Sequence, residues 1–208
     1  MKFVKLIYFI GVIGLGYSCQ MSGQDVSEQS AGVSWSLASR SYDKEELVFN
    51  RLNSLWLLKT DSTVISGIVK AYYPDGRLLQ AFELVEGKRQ GMAYTYFPDG
   101  RVRFQESYHQ NRLHGTVKRW TMKNGYQLLA RLQYVEGRLH GEQKKWYDTG
   151  ELHKQMHLNR GKEDGLQQAF RKNGALYANY EARNGRIYGL KRSNLCYELD
   201  NEKIVWQQ

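Results

Sequence analysis

The sequence has little proline and little cysteine, and no apolar run long enough to cross a membrane. Of its 208 residues, 2 are proline and 2 are cysteine, whereas 20 are glycine. Glycine supplies positive φ in tight turns, and proline would remove the N–H donors on which paired strands depend. The composition therefore favours a chain of many turns between hydrogen-bonded strands.

Motifs of catalysis and cofactor binding are also missing. We find no Cys–His spacing typical of zinc, no phosphate-binding loop and no glycine pattern of a dinucleotide-binding fold. The five histidines are His109, His114, His140, His153 and His157. We interpret all five as solvated polar positions rather than metal ligands. The sequence thus predicts a protein that is not an enzyme and has no cofactor or metal.

Acidic residues are outnumbered by basic ones. The chain has 21 Asp and Glu against 30 Lys and Arg, for a formal net charge of +9. The basic residues are spread evenly from Lys70 to Lys203 instead of forming one block. An even spread favours attraction to anionic surfaces in general over a dedicated nucleic-acid groove. We therefore expect no nucleic-acid partner.

The first residues resemble an export signal that ends in a lipid-attachment site. Lys2 and Lys5 accompany an apolar run over residues 6–15. This run is shorter than the about 20 residues needed to span a bilayer, but it suits a signal peptide. Small residues at positions 16 and 18 precede Cys19, as in a bacterial lipobox. We expect residues 1–18 to be removed and Cys19 to be lipidated; the alternative is an ordinary cleaved signal with an incidental cysteine.

Residues 19–41 are expected to form a lipid-anchored flexible tether, because they are rich in Ser, Gln and Gly. Lipidation of Cys19 leaves Cys196 without a disulfide partner, so we interpret Cys196 as a small buried residue of a strand. Gln20 follows Cys19, and no acidic run follows it. In Gram-negative lipoproteins such a start is typical of the outer membrane, so the expected location is the cell envelope, at the outer membrane and facing the periplasm.

From residue 67 onward the sequence repeats. A leading glycine recurs with spacings of 24, 24, 26, 24 and 24 residues, at Gly67, Gly91, Gly115, Gly141, Gly165 and Gly189. A second turn follows nine or ten residues later, often as Asp-Gly or Asn-Gly, and a third turn precedes the next copy. Asp-Gly and Asn-Gly are strong hairpin signals because both positions favour positive φ. Five copies over residues 67–189 thus predict an all-β fold, an elongated single-layer antiparallel meander of about ten strands.

Two hydrophobic positions recur in every copy. Five residues after the leading glycine stands an aromatic: Tyr72, Tyr96, Trp120, Trp146 and Phe170. After the second turn stands an aliphatic: Leu78, Val102, Leu128, Leu152 and Leu176. Because side chains alternate along a strand, these positions predict two stripes along the repeat axis. Stacking of the copies is expected to bury the stripes as one continuous ladder.

A basic and aromatic strip is the candidate binding face. Lysine, tyrosine or glutamine stands two residues before each repeated aromatic, on the same face of the strand. The candidate residues are Lys70, Tyr72, Tyr94, Tyr96, Lys118, Trp120, Lys144, Trp146 and Phe170. Such a strip could hold lipid headgroups, an anionic glycan or an acidic protein through charge and cation–π contacts. The alternative is that lysine stems only cover the rings while the ammonium groups stay in water.

The segments that flank the repeats read as short strands. Residues 42–66 predict a degenerate leading copy, with strands around residues 47–49 and 55–58; a short helix over residues 42–52 is the competing interpretation. At the other end, residues 190–208 predict capping strands on either side of Asp200, which close the exposed edge of the array.

The repeat pattern resembles the MORN-repeat family, in the variant form of the YwqK-type antitoxin proteins. The resemblance rests on residues 91–100 (GMAYTYFPDG), residues 136–141 (EGRLHG) and residues 146–150 (WYDTG), and it covers residues 67–189. It implies a sheet that presents a long surface to a partner protein, with an antitoxin or immunity role as one form of this. The alternative is a membrane-surface structural protein that binds anionic phospholipid or glycan.

Overall fold

The computed structural model describes residues 40–190, 198–200 and 203–205. Cys19, Cys196, the expected signal peptide and nearly all of the expected tether lie outside these residues. What can be compared with the sequence is the repeat array, its lead-in and the backbone of a short C-terminal hairpin.

The described elements are almost all strands. The lead-in comprises β1 (Ser41–Asp43), a 3-10 helix (Lys44–Glu46), β2 (Leu47–Asn50) and β3 (Leu55–Leu58). The repeats comprise β4 (Gly67–Tyr72), β5 (Leu78–Val85), β6 (Lys88–Tyr96), β7 (Val102–His109), β8 (Arg112–Leu113), β9 (Gly115–Thr121), β10 (Gln127–Val135), β11 (Arg138–Leu139), β12 (Gly141–Trp146), β13 (Leu152–Asn159), β14 (Lys162–Phe170) and β15 (Leu176–Arg183). The array continues in β16 (Arg186–Leu190), and a separate hairpin comprises β17 (Glu198–Asp200) and β18 (Lys203–Val205).

Ten long strands form one antiparallel meander. They are the two strands of each copy: β4 and β5, β6 and β7, β9 and β10, β12 and β13, and β14 and β15. β16 continues the meander at one end, and β1 pairs with β4 in parallel at the other. With the short β8 and β11, the described sheet has 14 strands and is open. The prediction of an elongated single antiparallel sheet of five hairpin repeats is confirmed.

The two kinds of turn differ from the expectation in one respect. Both central residues have positive φ in the third turns, at Glu86 and Gly87, Gln110 and Asn111, Glu136 and Gly137, Arg160 and Gly161, and Asn184 and Gly185. In the second turn of the first copy only Gly76 has positive φ, and its N–H donates to the carbonyl of Tyr73. The predicted hairpins are therefore confirmed. The prediction that both residues of an Asp-Gly turn have positive φ is wrong, because two consecutive positive φ angles occur in the third turns instead.

The hairpin of each copy also carries a β-bulge, and the register shifts again in two of the pairings between copies. Next to the second turn, the register shifts by one residue in all five hairpins. The extra residues on the return strands are Leu79, Arg103, Leu129, His153 and Tyr177. A bulge increases the local twist and re-aims the neighbouring side chains. The bulge thus recurs at the same place in all five hairpins, although the residue that occupies it changes from copy to copy.

Alternation along the strands gives the sheet two faces. Face A carries Val69, Phe82, Ala93, Val117 and Leu132, all of which are buried. Face B carries Lys70 and Tyr94, which are only half-buried, with the buried Ala81 between them and the buried Ile68 beside Lys70. The buried apolar clusters of the array, around Phe82 and around Val117, therefore lie on face A.

The lead-in covers the first part of face A. Leu47, Leu57 and Ile65 are buried, and Leu47 and Ile65 pack in one cluster with Val69 and Phe82. Trp56 from β3 lies 5.6 Å from Phe82 between ring centroids. The lead-in hairpin of β2 and β3 thus acts as a lid of apolar residues over the first two repeats.

The recurring aromatic and aliphatic positions do not form this core. Each aromatic pairs directly with the aliphatic of its own hairpin, as Tyr72 does with Leu78. The two expected stripes are therefore one alternating row, and it lies on face B. The row is half-buried along its length and exposed at its ends, where Tyr72 is 47% and Leu176 is 45% exposed. The expectation that stacking buries these residues is wrong, because no second layer covers face B within the described residues.

The flanking segments agree with the strand interpretations in part. The lead-in contains the hairpin of β2 and β3, and the competing helix is reduced to the three residues 44–46, capped by the side chain of Asp43. At the other end, β17 and β18 form a hairpin. Their pairing is with each other, in a two-stranded sheet apart from the array.

Candidate functional site

The candidate residues form two adjacent rows on face B. The register places Lys70, Tyr94, Lys118 and Lys144 in one line across the sheet, together with the return-strand residues between them. We call this line the cationic row: Lys70, Ala81, Tyr94, Gln105, Lys118, Arg131, Lys144, Gln155, Gln168 and Asn179. With neighbouring strands about 4.8 Å apart, it extends about 40 Å.

The second line is the alternating row described above, which we call the apolar row. It consists of Tyr72, Leu78, Tyr96, Val102, Trp120, Leu128, Trp146, Leu152, Phe170 and Leu176. Rings of the two rows meet where Tyr94 stacks on Tyr96, with centroids 6.3 Å apart. All nine candidate residues therefore lie on one face, in two neighbouring rows.

Tyrosine hydroxyls tie the copies together beside the apolar row. The hydroxyl of Tyr73 donates to the carbonyl of Tyr96 at 2.8 Å, and the hydroxyl of Tyr147 donates to the carbonyl of Phe170 at 2.9 Å. Both bonds run from one copy to the next, at the same position of the repeat. They fix the spacing of the aromatic residues at the edge where the second turns lie.

Beside the middle of the cationic row stands a carboxylate, Glu142, that two cations of the row hold. Arg131 Nη2 lies 2.7 Å from Glu142 Oε2, and Lys144 Nζ lies 3.1 Å from Glu142 Oε1. Gln155 also donates to Glu142 at 3.1 Å. The hydrogen bond from Lys144 is the main cause that holds the pKa of the Glu142 carboxyl below its usual range. Burial opposes it, and the hydrogen bond from Arg131 and the charges of both cations add to the lowering. Two cations of the row therefore already bind a carboxylate of the protein itself.

Sequence reasoning missed Arg131 and Glu142. The strip was read only from the leading strands, whereas Arg131 stands on the return strand β10 and joins the row through its pairing with Lys118 and Lys144. The signal was available in principle, because a hairpin register places return-strand residues between the leading ones. It could not be used without knowing that each hairpin carries a bulge.

The cation–π contacts of the described residues lie elsewhere than expected. Arg101 lies 5.1 Å from the ring of Tyr126, and Arg119 lies 5.8 Å from the ring of Phe104. Neither pair includes a lysine of the candidate strip. The strip thus places cations beside an apolar row without stacking them on its rings.

Metal sites and membrane-spanning helices are not seen in the described ranges. No group of three or more metal-ligating side chains occurs there. None of the helical segments found in these ranges is long and apolar enough to cross a bilayer. Cys19, the expected lipid attachment site, lies outside the described residues.

Comparison with known families gives one match. Residues 139–159 match the MORN repeat variant family. These residues include β12 and β13, the hairpin of the fourth copy, with its second turn and its bulge. No curated protein shows significant similarity to the chain. The match supports the MORN-repeat character of the array, since the other four copies share the hairpin and the bulge of the fourth.

Proposed function

We propose that this protein is an exported, lipid-anchored repeat protein that acts as a protein-interaction module, with face B as its docking surface. The observation that carries the proposal is the pair of adjacent rows on face B. An apolar row and a cationic row run side by side over ten strands, and within the described residues nothing is packed over them.

The size and chemistry of the two rows suit a protein interface. Rows on one face lie about 7 Å apart along the strand, so the two rows and their borders present roughly 600 Å². A standard interface buries about 600–1,000 Å² on each partner, so the two rows reach the lower end of this range. Aromatic residues and arginine are enriched at the centre of such interfaces, and charged groups stand at their rim.

The charge of the cationic row indicates an acidic partner. Lys118, Arg131 and Lys144 are consecutive in the row, and Glu142 offsets only one of their charges. The salt bridges of Arg131 and Lys144 with Glu142 show the kind of contact that a carboxylate of the partner would make. Complementary charge of this kind speeds association and selects among partners.

The anchor and the family resemblance complete the proposal. Lipidation at Cys19 would hold the array at the envelope, at the outer membrane facing the periplasm, with face B available to a periplasmic protein. An antitoxin or immunity role, as in YwqK-type proteins, is one form that such an interaction would take.

A membrane-surface role is the second candidate. It is favoured by the cations that lie beside Tyr and Trp residues, since both kinds of residue suit the headgroup region of a bilayer. Charge-driven attraction to lipid weakens as ionic strength shortens the Debye length. A packed protein interface holds at high salt, so salt separates the two candidates.

The test is affinity capture of the membrane-anchored protein in low and high salt, with two matched variants. Lys118→Glu reverses a charge on face B, and Arg119→Glu reverses the adjacent charge on face A. We expect one near-stoichiometric protein that survives high salt and is lost only with Lys118→Glu. Recovery of lipid alone, or of nothing once salt is raised, would replace the proposal by the membrane-surface role. Equal loss with both variants would show that net charge, not face B, governs binding.

A further inference from the structure

Two lysines stand directly opposite each other on face A. Lys145 of β12 pairs with Lys154 of β13, one residue from the bulge at His153. Like charges directly opposite on neighbouring strands destabilise a sheet. Neither ammonium group belongs to a salt bridge of the described residues.

The same position of the other copies carries no such pair. The corresponding pairs are Ala71 with Gln80, Thr95 with Phe104, Arg119 with Ala130, and Ala169 with Ala178. Repeat geometry therefore does not require the lysines. The fourth copy alone concentrates two positive charges here.

A hollow adjoins the lysine pair on the side of Lys154, which is one of the residues that line it. Lys154 pairs on its other side with Ala169, and Ala169 pairs with Ala178, so two small side chains follow the lysines in the same row. The hollow above them measures about 250 Å³, and Met156, Tyr177 and Tyr180 also line it. It is large enough for a compact molecule of the size of a single sugar ring.

The groups around the hollow leave it positively charged on the lysine side. Burial, followed by the charges of Lys154 and Lys145, lowers the pKa of His153 and so favours its neutral form. Glu163 is the acidic group that lines the hollow, and it accepts a hydrogen bond from Tyr180 at 2.8 Å. Burial and this bond raise the pKa of Tyr180 to about 12, so the phenol stays protonated and keeps Glu163 engaged.

We propose that Lys145, Lys154 and the adjoining hollow bind a phosphate ester, with the phosphate between the two ammonium groups and a compact hydroxylated body over Ala169 and Ala178. A phosphate fits better than a carboxylate because it carries up to two charges and three acceptor oxygens, enough to engage both lysines. The body packs against tyrosine rings and methyl groups. This site lies on face A and is independent of the docking surface on face B.

Two sources share this chemistry: a soluble sugar phosphate and the phosphoglycerol headgroup of a lipid. The full-length protein in neutral detergent is titrated calorimetrically with glucose 6-phosphate, glucose and inorganic phosphate, and it is also mixed with phosphatidylglycerol or phosphatidylcholine vesicles. We expect saturable binding of the sugar phosphate, tighter than that of inorganic phosphate, and none of glucose. Binding only to phosphatidylglycerol vesicles, lost with the lysine variants below, supports the same site with the lipid headgroup as its source. Binding to neither overturns the proposal.

Three substitutions locate the site. Lys145→Gln and Lys154→Gln should each weaken binding of the sugar phosphate about tenfold or more, equivalent to about 1.4 kcal/mol. Lys118→Gln, which removes a lysine from face B, should leave it unchanged. Equal weakening by all three variants would show attraction to net charge and overturn the site.

Filling the hollow gives an independent check. Ala178→Leu should remove the preference for glucose 6-phosphate over inorganic phosphate while retaining binding of inorganic phosphate. Thermal unfolding of each variant establishes that it is folded. If a folded Ala178→Leu protein keeps the preference for the sugar phosphate, the hollow is not where the body of the ligand binds.

Discussion

Face A of the array is stabilised differently at its two ends. In the first repeats the lead-in lies over it, and Val69, Phe82 and Leu84 are at most 1% exposed. In the fourth and fifth repeats the most deeply buried side chains are amides instead, since Gln143 is 0% and Gln167 is 2% exposed. The same backbone repeat is thus completed by an apolar cover at one end and by hydrogen-bonding side chains at the other.

The position two residues after the leading glycine shows the difference most clearly. It is Val69, Ala93 and Val117 in the first three copies, and Gln143 and Gln167 in the last two. The amide of Gln143 pairs with the backbone of Gln133 as a strand residue would: its Oε1 accepts from the N–H, and its Nε2 donates to the carbonyl, both at 3.1 Å. Where β10 and β12 stop pairing, a side chain continues the ladder. An uncovered sheet can therefore bury polar groups without loss if each one finds backbone partners.

The largest expected effect comes from the covered end. Phe82→Ala removes a ring that contacts Trp56 and leaves a cavity under the lid, so the free energy of unfolding should fall by about 3–5 kcal/mol in urea denaturation. Phe170→Ala, a half-buried residue of the apolar row at the open end, is the matched control and should cost clearly less. Equal losses would mean that the two ends are packed alike.

Equivalent glycines of the third turn sharpen the comparison. Gly87 and Gly161 both have positive φ, which costs an alanine about 1–2 kcal/mol. A Cβ on Gly87 would also lie 2.9 Å from the carbonyl oxygen of Trp56 in the lid, whereas one on Gly161 would meet nothing within 4 Å. Gly87→Ala should therefore lower the midpoint of thermal unfolding more than Gly161→Ala. A larger decrease for Gly161→Ala than for Gly87→Ala would contradict the close contact between the lid and the turn at Gly87.

The amides of the open end can be compared with each other. Gln143→Ala leaves the N–H of Gln133 without its hydrogen-bond partner. The free energy of unfolding, measured by chemical denaturation, should therefore fall by about 1–3 kcal/mol. Gln167→Ala should cost less, because Oε1 of Gln167 is buried without a hydrogen-bond partner in the described part of the chain. A larger loss for Gln167 would show that the ladder-continuing role of Gln143 is not what stabilises this end.

The smallest expected effect is a gain. Lys154→Glu converts the like-charge pair with Lys145 into an opposite-charge pair, which should stabilise the protein by about 0.2–1 kcal/mol at low salt. The gain should shrink in high salt, because ions screen exposed charges. An unchanged or lower midpoint of thermal unfolding at low salt would mean that the two ammonium groups do not interact.

The repeat made most of the fold predictable. Glycine spacing located five hairpins, and alternation placed Lys70, Lys118 and Lys144 on one face, as the register confirms. The side on which the core forms was not predictable in this way. The recurring aromatic residues are the strongest apolar signal, yet the core uses positions that vary from copy to copy, such as Val69 and Gln143, and a lid from outside the repeat.

The candidate rows were predictable only from the leading strands. Arg131 enters through the pairing of a return strand, and that pairing depends on a one-residue bulge in each hairpin. Glu142 stands on the leading strand β12, but only the structure shows that Arg131 and Lys144 hold it. A bulge has no distinct residue type here, since Leu79, Arg103 and His153 all occupy it. A strand position counted from the second turn without the bulge is therefore off by one. Every return-strand side chain beyond the bulge is then assigned to the wrong face.

The claim that face B is the docking surface can be tested by photo-crosslinking from adjacent residues. A benzoyl-phenylalanine side chain is placed at Gln105, in the cationic row of face B, or at the preceding residue, Phe104, which lies on face A. Irradiation of the membrane-anchored protein in high salt, read by mass spectrometry, should give one discrete protein adduct from position 105 and none from position 104. Adducts of equal yield from both positions, or lipid adducts alone, would contradict the account.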